Sequence, residues 1–232
     1  MIGWITLILA VFGTIGIWIG LGRIAPPQVP IAILLGLSVV LGIGMYVGFR
    51  RRLFARLTIQ DYTLSAMFVG LLYVAVLPWR LGLGRIPFIH PFIYAIPFTA
   101  VLIIGLRIVP KPGAATLMIF GKGMLYQLLG AGINPLWWPD SLLQAFSVEW
   151  YLLITQDYIQ HPRSALAVGF LRGMMGYLYF YFVGAPFIWH TFYAWWYMAL
   201  QIVLGGAGCL VGAWIGFVLG RKVEAAFRFG GM

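Results

Sequence analysis

Long stretches without a single charged side chain constrain this chain more than anything else in it. Residues 2–21, 30–49 and 62–79 carry none, and a helix needs about 20 apolar residues to cross the hydrocarbon core of a bilayer. In lipid every backbone N–H and C=O must be bonded inside the protein, so a crossing segment is either a helix or a strand of a closed barrel. Barrel strands alternate apolar and polar side chains; these runs do not, which selects the helix. The sequence is 62% hydrophobic and 9% charged, against roughly 25% charged in a soluble domain. The expected fold is therefore all-α: a polytopic membrane helix bundle, multi-pass in the cell membrane, without a polar stretch long enough to fold as a separate domain.

Eight spans are expected, over residues 2–21, 30–49, 62–79, 90–108, 112–131, 141–156, 164–184 and 192–219. The first has neither the basic start nor the polar cleavage region of a signal peptide and is read as retained. The sixth is short, and the eighth is long enough to tilt or protrude. With the N-terminus in the cytoplasm, ten basic residues fall on that side: Arg50, Arg51, Arg52, Arg56, Arg107, Lys111, Arg163, Arg221, Lys222 and Arg228. Three fall outside, Arg23, Arg80 and Arg85. Basic loops mark the cytoplasmic face, so both termini are expected there. The same rule accounts for the +10 net charge, which is not read as a nucleic-acid footprint.

Arg50-Arg51-Arg52 with Arg56 separates two spans from six. It predicts a two-helix N-terminal addition over 1–56 and a six-helix core over 57–232. The outer loops instead carry proline and tryptophan, as in Asn134-Pro-Leu-Trp-Trp-Pro139 and Ala185-Pro-Phe-Ile-Trp-His190. Such residues form an interfacial aromatic belt, or roof a pocket opening outward. Pro112 suits the first turn of the fifth span, and Ser141-Leu-Leu-Gln144 has the spacing of a capping box for the sixth.

Gly208, Gly212, Gly216 and Gly220 recur every four residues on one face of the last span. Small residues there let another backbone approach closely, either inside the bundle or on a partner subunit. Ala66 and Gly70 repeat the pattern in the third span. Charges at membrane depth cost about 2.5–3.5 kcal/mol each on insertion scales and need partners. At 1.5 Å per residue Lys122 falls roughly 15 Å from the cytoplasmic edge and Glu149 about 13 Å from the outer one. Those depths match, and Arg172 comes close, so Glu149 is expected to pair with Lys122, Arg172 or both. The pair is either structural or part of a site. Gln127, Tyr126 and Asn134 lie above Lys122, and convergent polar groups in an apolar wall are what a small-molecule site requires. With Trp138, Trp189 and His190 from the aromatic loops they complete the expected ligand-binding set.

Catalytic chemistry is not expected. Zinc-protease, nucleophile-elbow and phosphate-loop patterns are absent, and only Glu149 of the five acidic residues is placed at depth. The three histidines are read as interfacial, and Cys209 as packing, so no metal or cofactor is expected. Active transport would draw its energy from another subunit or an ion gradient.

Several stretches then resemble a known family. They are Ser65-Ala-Met-Phe-Val-Gly-Leu-Leu-Tyr73, Pro91-Phe-Ile-Tyr-Ala-Ile-Pro-Phe98, Lys111-Pro-Gly-Ala-Ala115, Ser147-Val-Glu-Trp150 and the glycine-rich run from Gly208 to Lys222. Over about 61–222 the chain resembles the substrate-binding S component of energy-coupling factor (ECF) transporters. The Lys-Pro-Gly-Ala-Ala opening with an acidic residue further on looks most like the thiamine- and hydroxymethylpyrimidine-related subgroup. The resemblance implies a six-helix importer subunit that captures a vitamin or precursor from outside. It also implies partners: a transmembrane coupling subunit and two cytoplasmic ATPases, beside which the subunit topples to release its ligand. Ala66 and Gly70 match the family's small-residue face for the coupling subunit, and Glu149 its acidic residue on the fourth core helix. The first two spans are additional to that pattern, and Tyr126-Gln127 stand where the subgroup has an acidic residue.

The expected function is ligand capture for an ECF-type importer, with a small heteroaromatic ligand held between aromatic walls. The alternative is an accessory subunit of a larger membrane complex; an ion-coupled carrier is disfavoured by the shortage of buried acids. On this reading Glu149→Gln weakens ligand binding at least tenfold.

Overall fold

The computed structural model describes residues 28–51, 57–80, 89–135 and 137–229. The expected first span, most of the arginine-rich boundary and both termini lie outside them. Among the described residues there are seven α-helices and no strand: α1 Gln28–Arg50, α2 Ile59–Arg80, α3 His90–Ile108, α4 Ala114–Tyr126, α5 Trp137–Thr155, α6 Pro162–Tyr179 and α7 Trp195–Phe229. They correspond to the second to eighth expected spans. π-helical segments, Gln127–Ala131 and Phe180–Ile188, continue α4 and α6. Four segments are long and apolar enough to cross a membrane: Ile59–Pro78, His90–Ile108, Pro162–Ile188 and Trp195–Ala226.

Six helices close a ring in the order α2, α3, α7, α6, α5, α4 and back to α2, and α1 packs on the outside of α5. The α1 contact uses the bulk of Phe146 and Trp150 against Gly42 and Gly44, and the Trp150 indole N–H donates to the Leu41 carbonyl at 3.3 Å. Phe98, Leu102, Leu106, Met118, Val148 and Leu152 fill the interior of the ring. A second cluster, with Leu143, Met174, Leu178 and Tyr179, fills the side nearer α1.

The glycine ladder of α7 is used up inside the molecule. A Cβ on Gly208, Gly212 or Gly216 would strike the backbone carbonyl of Phe92, Ile96 or Ala100 on α3. The two backbones approach because neither side chain nor branch separates them. Of the two alternatives for this face, packing inside the bundle is the one found, and contact of Gly208, Gly212 and Gly216 with a partner subunit is corrected: α3 already occupies that face. Ala66 and Gly70 are different. Ala66 is exposed, and among the described residues nothing lies within 4 Å of where a Gly70 Cβ would stand. Met67, Leu71 and Val74 share the exposed side of α2.

One end of the ring is basic and tied by ion pairs. Arg107 Nε donates to Glu224 at 2.6 Å, and its NH1 to the Ile159 carbonyl at 2.7 Å. Lys111 Nζ donates to Asp61 at 2.7 Å. Asp61 also accepts the Thr58 N–H at 2.6 Å, while its own N–H reaches the Thr58 hydroxyl at 3.3 Å. That reciprocal pair is a capping box, which fixes where α2 begins. In the loop between α5 and α6, Asp157 accepts from the Gln160 N–H at 2.8 Å and the Ser164 hydroxyl at 2.6 Å, and meets His161 Nδ1 at 2.9 Å. Ile159 there has a φ of 60°, an uncommon conformation for a β-branched residue; its burial and the Arg107 bond to its carbonyl hold it in place.

Two helix starts differ from expectation. Pro112 stands in the turn ahead of α4, and Gly113, at φ 97°, is the residue before its first turn. The positive φ is one that glycine adopts without strain. α5 begins at Trp137 rather than near Ser141, so Ser141-Gln144 is not a capping box. Ser141 packs on Gly123, and Gln144 lies across Gly176 and bonds Asp140.

Candidate ligand-binding cluster

The earlier start of α5 decides what Glu149 meets. Counted from Trp137, Glu149 is twelve residues along the helix and six short of Thr155, so it falls about 9 Å from the basic end. There it reaches the first turn of α4 and not the level of Lys122. Its Oε1 accepts the Gly113 N–H at 2.6 Å, and its Oε2 accepts the Thr116 N–H and hydroxyl, each at 3.1 Å. The residue is 0% exposed. The first N–H groups of a helix lack internal partners and carry partial positive charge; a carboxylate supplied by a neighbouring helix satisfies both needs. The expected ion pair of Glu149 with Lys122 or Arg172 is thus corrected: its bonds go to the start of α4.

Lys122 and Arg172 converge elsewhere, on one aromatic ring. The Arg172 guanidinium lies 3.6 Å from the centre of the Phe98 ring and Lys122 Nζ 4.9 Å from it. Lys122 is also 5.2 Å from the Tyr126 ring. The quadrupole of each ring attracts a cation, by about 0.5–2 kcal/mol depending on desolvation. Their acidic counterpart is Asp140, in the first turn of α5, which interacts electrostatically with both cations and accepts from Gln144 Nε2 at 2.8 Å. Four ring helices, α3 to α6, therefore bring two cations and two aromatic rings together with one carboxylate in electrostatic reach, between mid-bundle and the end opposite the basic one.

The rest of the expected set divides. Gln127 is 3% exposed and its Oε1 accepts the Asn134 N–H at 3.1 Å, so these two residues are joined where α4 turns π-helical. Trp189 meets Phe180 edge to face, ring centres 4.9 Å apart, and Trp137 at a tilt, 5.7 Å apart. Trp137, not the expected Trp138, forms this wall and lies against Gly184; Trp138 is 43% exposed. His190 is exposed at a φ of 51° in the turn after Trp189. Phe98 and Asp140 lie outside the expected set, while Trp137 belongs to the Asn134–Pro139 run expected to form a belt or roof a pocket. Asp140 had a readable signal: it is the one acidic residue whose expected place is the outer end of a span. Both π-helical segments lie at this aromatic end, and such segments recur at functional sites.

No family model and no curated protein matches the sequence. A solved structure does match the fold. It is described as the crystal structure of an S-component of an ECF transporter, with a TM-score of 0.58 and 19% identity over 76% of this chain and 88% of that one. At that identity the likeness establishes the fold. The chain folds like an S component, as its short apolar stretches suggested.

Proposed function

We propose that the chain is the membrane-embedded, ligand-capturing subunit of an S-component-type importer. The observation that carries the reading is the convergence of Lys122 and Arg172 on Phe98, with Asp140 acting electrostatically on both, in an S-component-like ring. Ionisable groups inside a membrane protein are costly and mark substrate sites or pathways. The ligand is a small vitamin-like molecule, entering from the aromatic end, which faces the exterior because the opposite end carries the basic loops. Tyr126, Gln127, Asn134, Trp137 and Trp189 wall its route; Glu149 acts indirectly, by fixing the start of the helix that carries Lys122. The exposed Ala66–Gly70 face of α2 meets a transmembrane coupling subunit served by cytoplasmic ATPases.

The test is to purify the chain alone from its native membranes in mild detergent and identify what is extracted from it by mass spectrometry. One small molecule in stoichiometric amount, lost in Lys122→Gln, is the expected result. A chain that carries nothing and is stable only beside other subunits would refute capture.

A further inference from the structure

The charge of the cluster specifies the class of ligand. The chain has five acidic residues. Asp61, Asp157 and Glu224 are bonded at the basic end, and Glu149 is bonded to the start of α4. Of the five, Asp140 remains to act electrostatically on Lys122 and Arg172. Two positive charges against one negative leave a single positive charge in excess, within an apolar ring.

Arg172 shows where that excess is available. It is 6% exposed, and among the described residues its Nε is buried without a hydrogen-bond partner. Among those residues its NH1 reaches the Cys209 sulfur, at 4.0 Å, and sulfur is a weak acceptor. A guanidinium carries five donors in a planar fork that matches a carboxylate or phosphate. Phe98 covers one face of that fork, and a planar cation stacked on a ring keeps its N–H donors in the plane of the fork. We propose that Lys122 and Arg172 together receive a singly charged anionic group, a carboxylate or a phosphodiester, with Asp140 fixing the remaining charge. A dianion would over-neutralise the cluster, and a cation would add to its excess. The inference deepens the capture reading and rests on it for the source of the anion.

Benzoate and benzamide test it, since they share a shape and differ in charge. The full chain is placed in nanodiscs of phosphatidylcholine, and its unfolding temperature is followed by tryptophan fluorescence at constant ionic strength. Benzoate should raise that temperature saturably and benzamide should not. Arg172→Gln and Lys122→Gln should abolish the benzoate effect, and Lys122→Arg should retain it. Asp140→Asn, which removes the competing charge, should bind benzoate more tightly, by about fivefold or more for a neighbouring charge in a partly buried site. That last variant separates recognition from mere packing, because a structural role for Asp140 predicts weaker binding or none. Equal effects of benzoate and benzamide, no effect of either, or an unchanged response in a folded Arg172→Gln would overturn the anion site.

Replacing a tenth of the lipid by phosphatidylglycerol distinguishes the source. If benzoate still binds with undiminished affinity, the anion is a soluble ligand. If phosphatidylglycerol alone gives the stabilisation and displaces benzoate, the anion site stands on a lipid headgroup and the capture reading falls. A neutral or cationic molecule extracted from the purified chain would do the reverse, ending the anion site while capture stands.

Discussion

Replacing Glu149 by glutamine changes one atom and discriminates between the two roles that sequence and structure give this residue. In the structure both carboxylate oxygens are acceptors, for the Gly113 N–H, the Thr116 N–H and the Thr116 hydroxyl. A glutamine keeps one carbonyl oxygen and turns an NH2 group toward donors. If the oxygen stays on Gly113, the Thr116 N–H is left facing another donor in a site that is 0% exposed. An unsatisfied buried polar group costs about 1–3 kcal/mol. Loss of the charge at the helix N-terminus adds up to about 2 kcal/mol in a buried geometry. Removing the desolvation of the carboxylate offsets part of this, so about 2–4 kcal/mol of destabilisation is expected. Thr116→Val loses the hydroxyl alone and should cost about 1 kcal/mol. Reversible unfolding of the purified chain in mixed detergent micelles measures both. If Glu149→Gln leaves stability unchanged and lowers ligand affinity tenfold, the capping argument is wrong and the residue belongs to the binding site after all.

Two further outcomes follow from the packing and the loops. Gly212→Ala should destabilise the isolated chain by about 1–3 kcal/mol, because its Cβ meets the Ile96 carbonyl and α3 must shift; Gly70→Ala, with open space around it, should leave unfolding of the isolated chain within about 0.5 kcal/mol of the parent, and equal losses for the two would refute the contrast. Burial raises the Asp157 carboxyl, but bonds from Ser164, Gln160 and His161 outweigh it and hold it below its ordinary value of 3.8. A depressed carboxylate contributes stability that is present above its unfolded value and lost as pH falls through the folded one, so Asp157→Asn should flatten the acid limb of a stability profile below about pH 4; an acid limb as steep as the parent's would refute it.

The sequence alone determined the solvent of this protein and the identity of its helices. Apolar runs of spanning length permit one backbone solution, so the helices of the described residues fall where those runs do. Composition also determined that any charge at depth must have a reason, which singled out Lys122, Glu149 and Arg172. What it left open was which partner each charge finds. That depends on the relative height of neighbouring helices, and height was inferred from helix starts, the least certain feature of a sequence pattern. The beginning of α5 at Trp137 instead of Ser141 moved Glu149 by about one turn, about 6 Å, from the level of Lys122 to the first turn of α4. The glycine ladder had the same ambiguity. Its spacing requires a backbone to lie against it, but only the closed ring of six helices decides that this backbone is α3 and that no other described residue covers Gly70 on the small face of α2.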